Sequence, residues 1–157
     1  MLQGGPLCGR HPHHLRGARA PPPQGGGIDG WEFRVIQKIN IDEKFSLFSD
    51  HWRPKVAAEL NGQEFKLVKF KGEYPFHAHT NEDEMFFCWK GEFFIDFEFQ
   101  DSVEIKAGEA IVIPKGVVHR PRAEMECQVF LLEPAGLKNN GTAAVDAKYD
   151  APNGVRV

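Results

Sequence analysis

Residues 72–91 read GEYPFHAHTNEDEMFFCWKG, and residues 108–123 read GEAIVIPKGVVHRPRA. In the first stretch His77 and His79 are two apart, so on a strand both rings leave the same face. Two neutral imidazoles side by side are a metal-ligand arrangement. The acids Glu82, Asp83 and Glu84 then lead into the apolar run MFFCW. Glu84 is the best placed of the three, because it begins that strand. It shares parity with Phe86 and Cys88, so a Glu84 facing the histidines puts both in the same interior. Glu82 and Asp83 read as solvated loop acids. In the second stretch Ile111 and Ile113 read as a buried strand. Pro114-Lys115-Gly116 reads as a type I turn, with Pro at its second position and Gly at its fourth. His119 follows on the next strand. Taken singly, it is as readily a surface residue as a ligand.

Outward from these stretches the pattern stays strand-like. After Pro54 the apolar period is two. Asn61-Gly62, between VAAEL and QEFKLVKF, is a type I′ hairpin signal. Further turn signals stand at Gly72, Lys90-Gly91, Gln100-Asp101 and Ala107-Gly108, a regularity that predicts an antiparallel all-β sandwich or barrel. Phe93, Ile95, Phe97 and Phe99 alternate with Glu92, Phe94, Asp96 and Glu98, which predicts one buried and one mostly wet face. Phe94 interrupts the wet face and suggests contact with a second copy. Before the strands, Ile41, Phe45 and Phe48 are spaced as on one helix face. Asn40 or Asp42 can cap them, so one short N-terminal helix is expected. Thirteen Phe against two Tyr point to an aromatic-lined interior.

The 157 residues divide unequally. Residues 1–30 hold eight of the 16 Gly and five of the 11 Pro, without apolar period. Such a stretch cannot bury enough surface to offset its ordering entropy, so it is expected to be a disordered leader or an overlong translation start. It lacks the apolar core of a secretory signal. The body spans residues 31–136, and residues 137–157 form a polar tail expected to pack loosely. Removing Arg10, Arg16, Arg19 and Asp29 leaves 16 basic and 21 acidic residues, a net −5. With −3 over the whole chain there is no basic excess to neutralise phosphates, so a nucleic-acid partner is not expected. No apolar run of about 18 residues suggests a membrane helix. Three cysteines, Cys8, Cys88 and Cys127, without C-x-x-C spacing, exclude a disulfide framework and suit the reducing cytoplasm.

Written as spacings, the two stretches are G-x4-H-x-H-x4-E-x6-G (Gly72 to Gly91) and G-x5-P-x-G-x2-H (Gly108 to His119). This pair resembles the cupin superfamily, whose two motifs have this order and nearly these spacings. The likeness is greatest to the small single-domain bacterial cupins and extends loosely from Val35 to Gly136. It implies a jelly-roll, double-stranded β-helix barrel. It also implies four metal ligands, His77, His79, Glu84 and His119, for one divalent transition metal per chain. Two departures stand out. The first motif usually has five residues between Gly and the first His, and here there are four. The second usually ends in Asn, where this chain has Ala123. Neither is a ligand position.

Three neutral imidazoles and one carboxylate suit Fe, Mn, Ni, Zn or Cu, and leave two of six positions open. The pocket wall would come from Phe86, Cys88, Phe97, Ile111 and Ile113, with Phe76 near the mouth. An aromatic wall favours a small, partly apolar ligand over a bare sugar phosphate. No general base is evident beyond the ligands. The expected function is a metal-dependent oxidoreductase of dioxygenase type on a small chelating organic substrate. The alternatives are a metal-dependent isomerase or lyase on a carbonyl or sugar-derived substrate, and a non-catalytic ligand-binding module. A homodimer is expected, because small cupins commonly pair through their sheets and a two-fold pair covers open strand edges.

Overall fold

In the computed structural model, which describes residues 36–144 and 149–157, the first regular element begins after Asn40. The expectations for residues 1–30, and for a body starting at Trp31, lie outside the described residues. Asn40 is extended, with φ −95° and ψ 108°, and its side chain accepts from the Glu43 N–H, 3.3 Å away. That cap starts α1 (Ile41–Ser46), as expected. Seven strands follow: β1 (Lys55–Leu60), β2 (Gln63–Glu73), β3 (Glu84–Lys90), β4 (Glu92–Phe97), β5 (Val103–Lys106), β6 (Ala110–Ile113) and β7 (His119–Pro134). The sheet order is β1-β2-β7-β3-β6, with β4 pairing β5 and β7. Every pairing between these strands is antiparallel, and one isolated parallel bridge joins Val56 to Arg156. Among the described residues the structure is thus mostly β with one short helix, the fold class the sequence predicts.

The β1–β2 hairpin turns at Asn61 and Gly62, whose φ values of 52° and 77° are those of a type I′ turn. Gly72 does not end a strand. It lies within β2 at a register shift against β7, with φ 81°, and marks a bulge. The Pro114 turn also differs from expectation. The Val117 N–H donates to the Pro114 carbonyl at 3.2 Å, which puts Pro114 first and Gly116 third. Gly116, with φ 79°, takes the left-handed position of a type II-like turn.

The interior is built from inward parities. Phe70, Phe86, Phe93, Ile95, Val129 and Leu131 are all buried in one cluster. Phe70 meets Phe93 edge-on at 5.5 Å and stacks on Trp52 at 4.5 Å. The aromatic surplus has a second home on the outer face. There Phe130 is surrounded by Phe45 of α1, Phe65, Phe87 and Trp89, at centroid distances of 4.9–6.2 Å. The β4 alternation holds only in part. Phe99, expected inside, lies beyond the strand end and is 66 % exposed. Asp96, expected on the wet face, is buried beneath Arg120 and Arg122, whose Nε atoms lie 2.9 and 3.0 Å from its carboxylate. Phe94 is partly buried, with the Arg122 guanidinium 4.3 Å from its ring.

The tail is better anchored than its composition predicts. The Val56 N–H donates to Val155 and the Val157 N–H to Val56. The buried Tyr149 hydroxyl donates to the Glu73 carbonyl at 2.8 Å. Among the described residues no helix is long and apolar enough to cross a membrane.

Candidate metal centre

The His77–His79 pair lies outside the named strands, where the sequence predicts a regular one. The segment between β2 and β3 touches the sheet through an antiparallel bridge from His77 to His119, both N–H···O distances being 3.0 Å. His79 is held by its carbonyl, which accepts from the Gly116 N–H at 2.7 Å. Ala78, between the two, is held from the tail, since the Thr142 N–H donates to its carbonyl at 3.0 Å. Glu84 opens β3 opposite Ile113 of β6, and His119 opens β7. The second glycine turn therefore fixes the first motif's histidine.

The four motif residues converge. His77 and His79 are 4 % exposed, Glu84 3 % and His119 1 %. The Nε2 atoms of His79 and His119 lie 3.4 and 3.5 Å from the same oxygen, Glu84 Oε2. The His77 and His119 rings are 4.5 Å apart between centroids. The Nδ1 of His77 lies 3.0 Å from the Pro75 carbonyl, and that of His119 lies 3.0 Å from the Val117 carbonyl. Donation to those carbonyls fixes each tautomer and leaves Nε2 as a lone pair, as metal-ligating histidines require. Yet His119 Nε2, both ring nitrogens of His79 and Glu84 Oε2 are buried without a hydrogen-bond partner. A buried polar atom left unpaired costs about 1–3 kcal/mol. Several such atoms aimed at one point are donors in search of a cation. Ligand atoms of His77, Glu84 and His119 lie within 4.8 Å of one another, and so do those of His79, Glu84 and Glu133. The buried His and Glu cluster is compatible with a metal site.

The electrostatics differ between the histidines: burial would lower His79, but the neighbouring Glu84 outweighs it and raises the group. Burial, then the facing His119, lowers His77 to about 4, which keeps the ring neutral. Burial alone would raise Glu84, but the facing His119 and His79 imidazoles outweigh it and hold the carboxyl at about 2. Burial, followed by the charge of Glu84, raises Glu133 to about 7 against the pull of Lys66.

Glu133 is the residue that motif reasoning misses. A signal for it exists. On β7 it has the parity of Val129 and Leu131, and an acid on the inward parity of an apolar strand is out of place. β7 must also bend. Fourteen residues of straight strand span about 46 Å, yet His119 and Glu133 both approach Glu84. A register shift against β2 lies along this path, near Gly72, between the Cys127 and Ala123 pairings.

The predicted wall residues are spread more widely. Phe86 lines a small cavity of about 10 Å³, shared with Trp52, Phe70, Tyr74, His77 and Glu84. That is room for about one water. Cys88 and Ile113 are core residues, and Phe97 and Ile111 pack against that core. Phe76 is partly exposed beneath the Arg120 guanidinium, 4.8 Å from its ring centroid. Trp52, Phe70 and Tyr74 were not expected at the site. Asp83 accepts from the Lys115 N–H at 2.9 Å and stays exposed. His79 borders an open surface depression of about 330 Å³, and Glu84 borders another of about 440 Å³.

Comparison with known proteins places these features. Residues 65–133 match the family described as "Cupin domain". The chain is 41 % identical over 83 residues to YdbB of Bacillus subtilis (strain 168), described as an uncharacterized protein; this spans 53 % of the chain and 67 % of YdbB. The crystal structure of a cupin-2 domain containing protein from Shewanella frigidimarina shares 48 % identity at a TM-score of 0.60, covering 61 % of this chain and 93 % of that one. The structure of protein NMB1881 from Neisseria meningitidis shares 34 % identity at a TM-score of 0.58, covering 63 % and 100 %.

Proposed function

This chain belongs to the cupin family, and from that premise we propose that it is a metal-dependent oxidoreductase of dioxygenase type acting on a small chelating organic molecule. One observation carries the reading: the Nε2 atoms of His79 and His119 and the Oε2 atom of Glu84 are buried, close together and without partners. His77, His79, Glu84 and His119 would hold one Fe, Mn, Ni, Zn or Cu ion. When bound, such an ion supplies Lewis-acid or redox chemistry to a ligand that shares its coordination. The rest falls to the chain. The Pro75 and Val117 carbonyls lock two ligand tautomers. Trp52, Phe70, Tyr74 and Phe86 exclude bulk water from one side.

The test is metal content by mass spectrometry on protein purified without a His-tag. Wild type is set beside His119→Ala and a form lacking residues 1–30, which we propose to be dispensable. About one transition metal per chain, lost in His119→Ala and kept without the leader, is expected. Oxygen uptake with a panel of catechols and α-keto acids then follows. Failure to take up metal on reconstitution overturns the metal reading; turnover without oxygen moves the chain to the isomerase or lyase class. We further propose a cytoplasmic homodimer. In support, β6 ends the sheet path with Val112 exposed, leaving an edge for a second copy. A monomeric mass by sedimentation at high micromolar concentration overturns it.

A further inference from the structure

We propose that Glu133, held through one carboxylate oxygen by Lys66, is a fifth protein ligand of the metal, contributing its other oxygen. The inference rests on the metal reading above and deepens it. Glu64 and Glu133 face each other across β2 and β7. Lys66 lies between them, its Nζ 2.9 Å from Glu64 Oε2 and 2.7 Å from Glu133 Oε1. The three are 6 %, 0 % and 3 % exposed for Glu64, Glu133 and Lys66. One cation therefore serves two buried carboxylates, and Glu84 adds a third. With neutral histidines and all three carboxylates ionised, the group carries −2 on side chains that are almost wholly buried. An uncompensated buried charge is costly, and a divalent ion brings the sum to zero.

Geometry assigns the ion's extra ligand to Glu133 and not to Glu64. A carboxylate oxygen of Glu133 lies within 4.8 Å of ligand atoms from both His79 and Glu84. Its Oε1 is taken by Lys66, while its Oε2, like Glu64 Oε2, is buried with no hydrogen-bond partner, so the converging donors decide between the two. Glu64, on the far side of Lys66, belongs to neither group of converging donors among the described residues. The centre is then a three-histidine, two-carboxylate set. A six-coordinate ion keeps one exchangeable position while Glu133 is bound, so a bidentate ligand must displace that carboxylate and a monodentate one need not.

The experiment uses the full chain loaded with Co(II), comparing wild type, Glu133→Gln, Glu64→Gln and His119→Ala. Three readouts are taken: Co(II) affinity by competition with a chromophoric chelator, the Co(II) visible spectrum, and binding of oxalate and azide as bidentate and monodentate probes. Glu133→Gln is expected to lower Co(II) affinity at least about tenfold, the low end of what losing even an outer-shell partner costs. It should also shift the visible bands and bind oxalate more tightly, with azide unchanged. Glu64→Gln disturbs the same buried triad and serves as the structural control; it should leave affinity and spectrum unchanged. Wild-type affinity, spectrum and oxalate binding in a folded Glu133→Gln overturn the Glu133 assignment and leave the metal reading standing. So does an equal loss in Glu64→Gln, or two Co(II) per chain. If wild type binds no Co(II), or His119→Ala binds it equally well, the metal reading itself fails.

Discussion

Removing the Glu133 charge from the metal-free protein should change how its stability depends on pH. Glu133 is held at about 7 when folded, against an ordinary 4.5. Its protonated form therefore stabilises the fold below about pH 4.5, and that contribution is lost as pH rises through about 7. At about 1.4 kcal/mol per pH unit, the swing is about 3 kcal/mol. His77 works in the opposite direction. Held at about 4 against 6.5, it contributes fully above about pH 6.5, and the contribution is lost as pH falls toward 4. Between about pH 4.5 and 6.5 the two slopes nearly cancel in wild type. Glu133→Gln keeps only the His77 slope, so its stability should rise with pH by about 2 kcal/mol across that window. Groups common to both proteins drop out of the difference. The assay is urea unfolding in excess chelator from about pH 4.5 to about pH 8, with the free-energy gap taken at each point. The variant should gain about 3 kcal/mol on wild type over that range. A gap constant to within about 0.5 kcal/mol would refute the reasoning, since Glu133 would then be ionised throughout.

Other outcomes follow from the packing, the glycine turns and the candidate metal centre. Phe93→Ala, at a fully buried ring that meets Phe70 edge-on, should cost about 3–5 kcal/mol by denaturant unfolding. The glycine turns separate backbone from packing. Gly62→Ala meets nothing within 4 Å, so only its φ of 77° is strained and about 1–2 kcal/mol should be lost. At Gly91, with φ 84°, an added Cβ would stand 2.9 Å from the Cys127 Cβ, so Gly91→Ala should melt lower than Gly62→Ala. Chelation of the metal-loaded protein should lower its melting temperature; at an ion concentration 100 times the dissociation constant the ligation is worth about 2.7 kcal/mol, and His119→Ala should not respond.

Four members of the buried cluster were legible because spacing carries them: two histidines two apart, an acid five later, and a glycine turn ahead of a third histidine. The reason for their convergence was not. His77 and His79 leave the same side without a regular strand, because the bridge to His119 and the Gly116 N–H hold the segment in its place. The Pro114 turn was misassigned by one position, since Pro favours a turn's second place and only the φ of Gly116 decides otherwise. Asp96 looked solvated because alternation counts faces and not partners; two arginines from β7 cover it. Glu64, Lys66 and Glu133 carried a signal as charges on inward parities, but their mutual contact depends on the β2–β7 register, which no local pattern contains. The tail read as loose because its bonds are made by backbone groups, which composition does not report.

β7 pairs with β2, β3 and β4, so the sheet has no closed form until that last strand exists. His77 is synthesised 42 residues before His119. At about 5–20 residues per second, the ribosome leaves His77 without its partner His119 for about 2–8 s. Barrel closure and assembly of the donor set are then a single late event on a topology of distant pairings, which folds slowly. An ion bound at the proposed centre would be enclosed in that same event, so metal supply during synthesis is expected to affect folded yield.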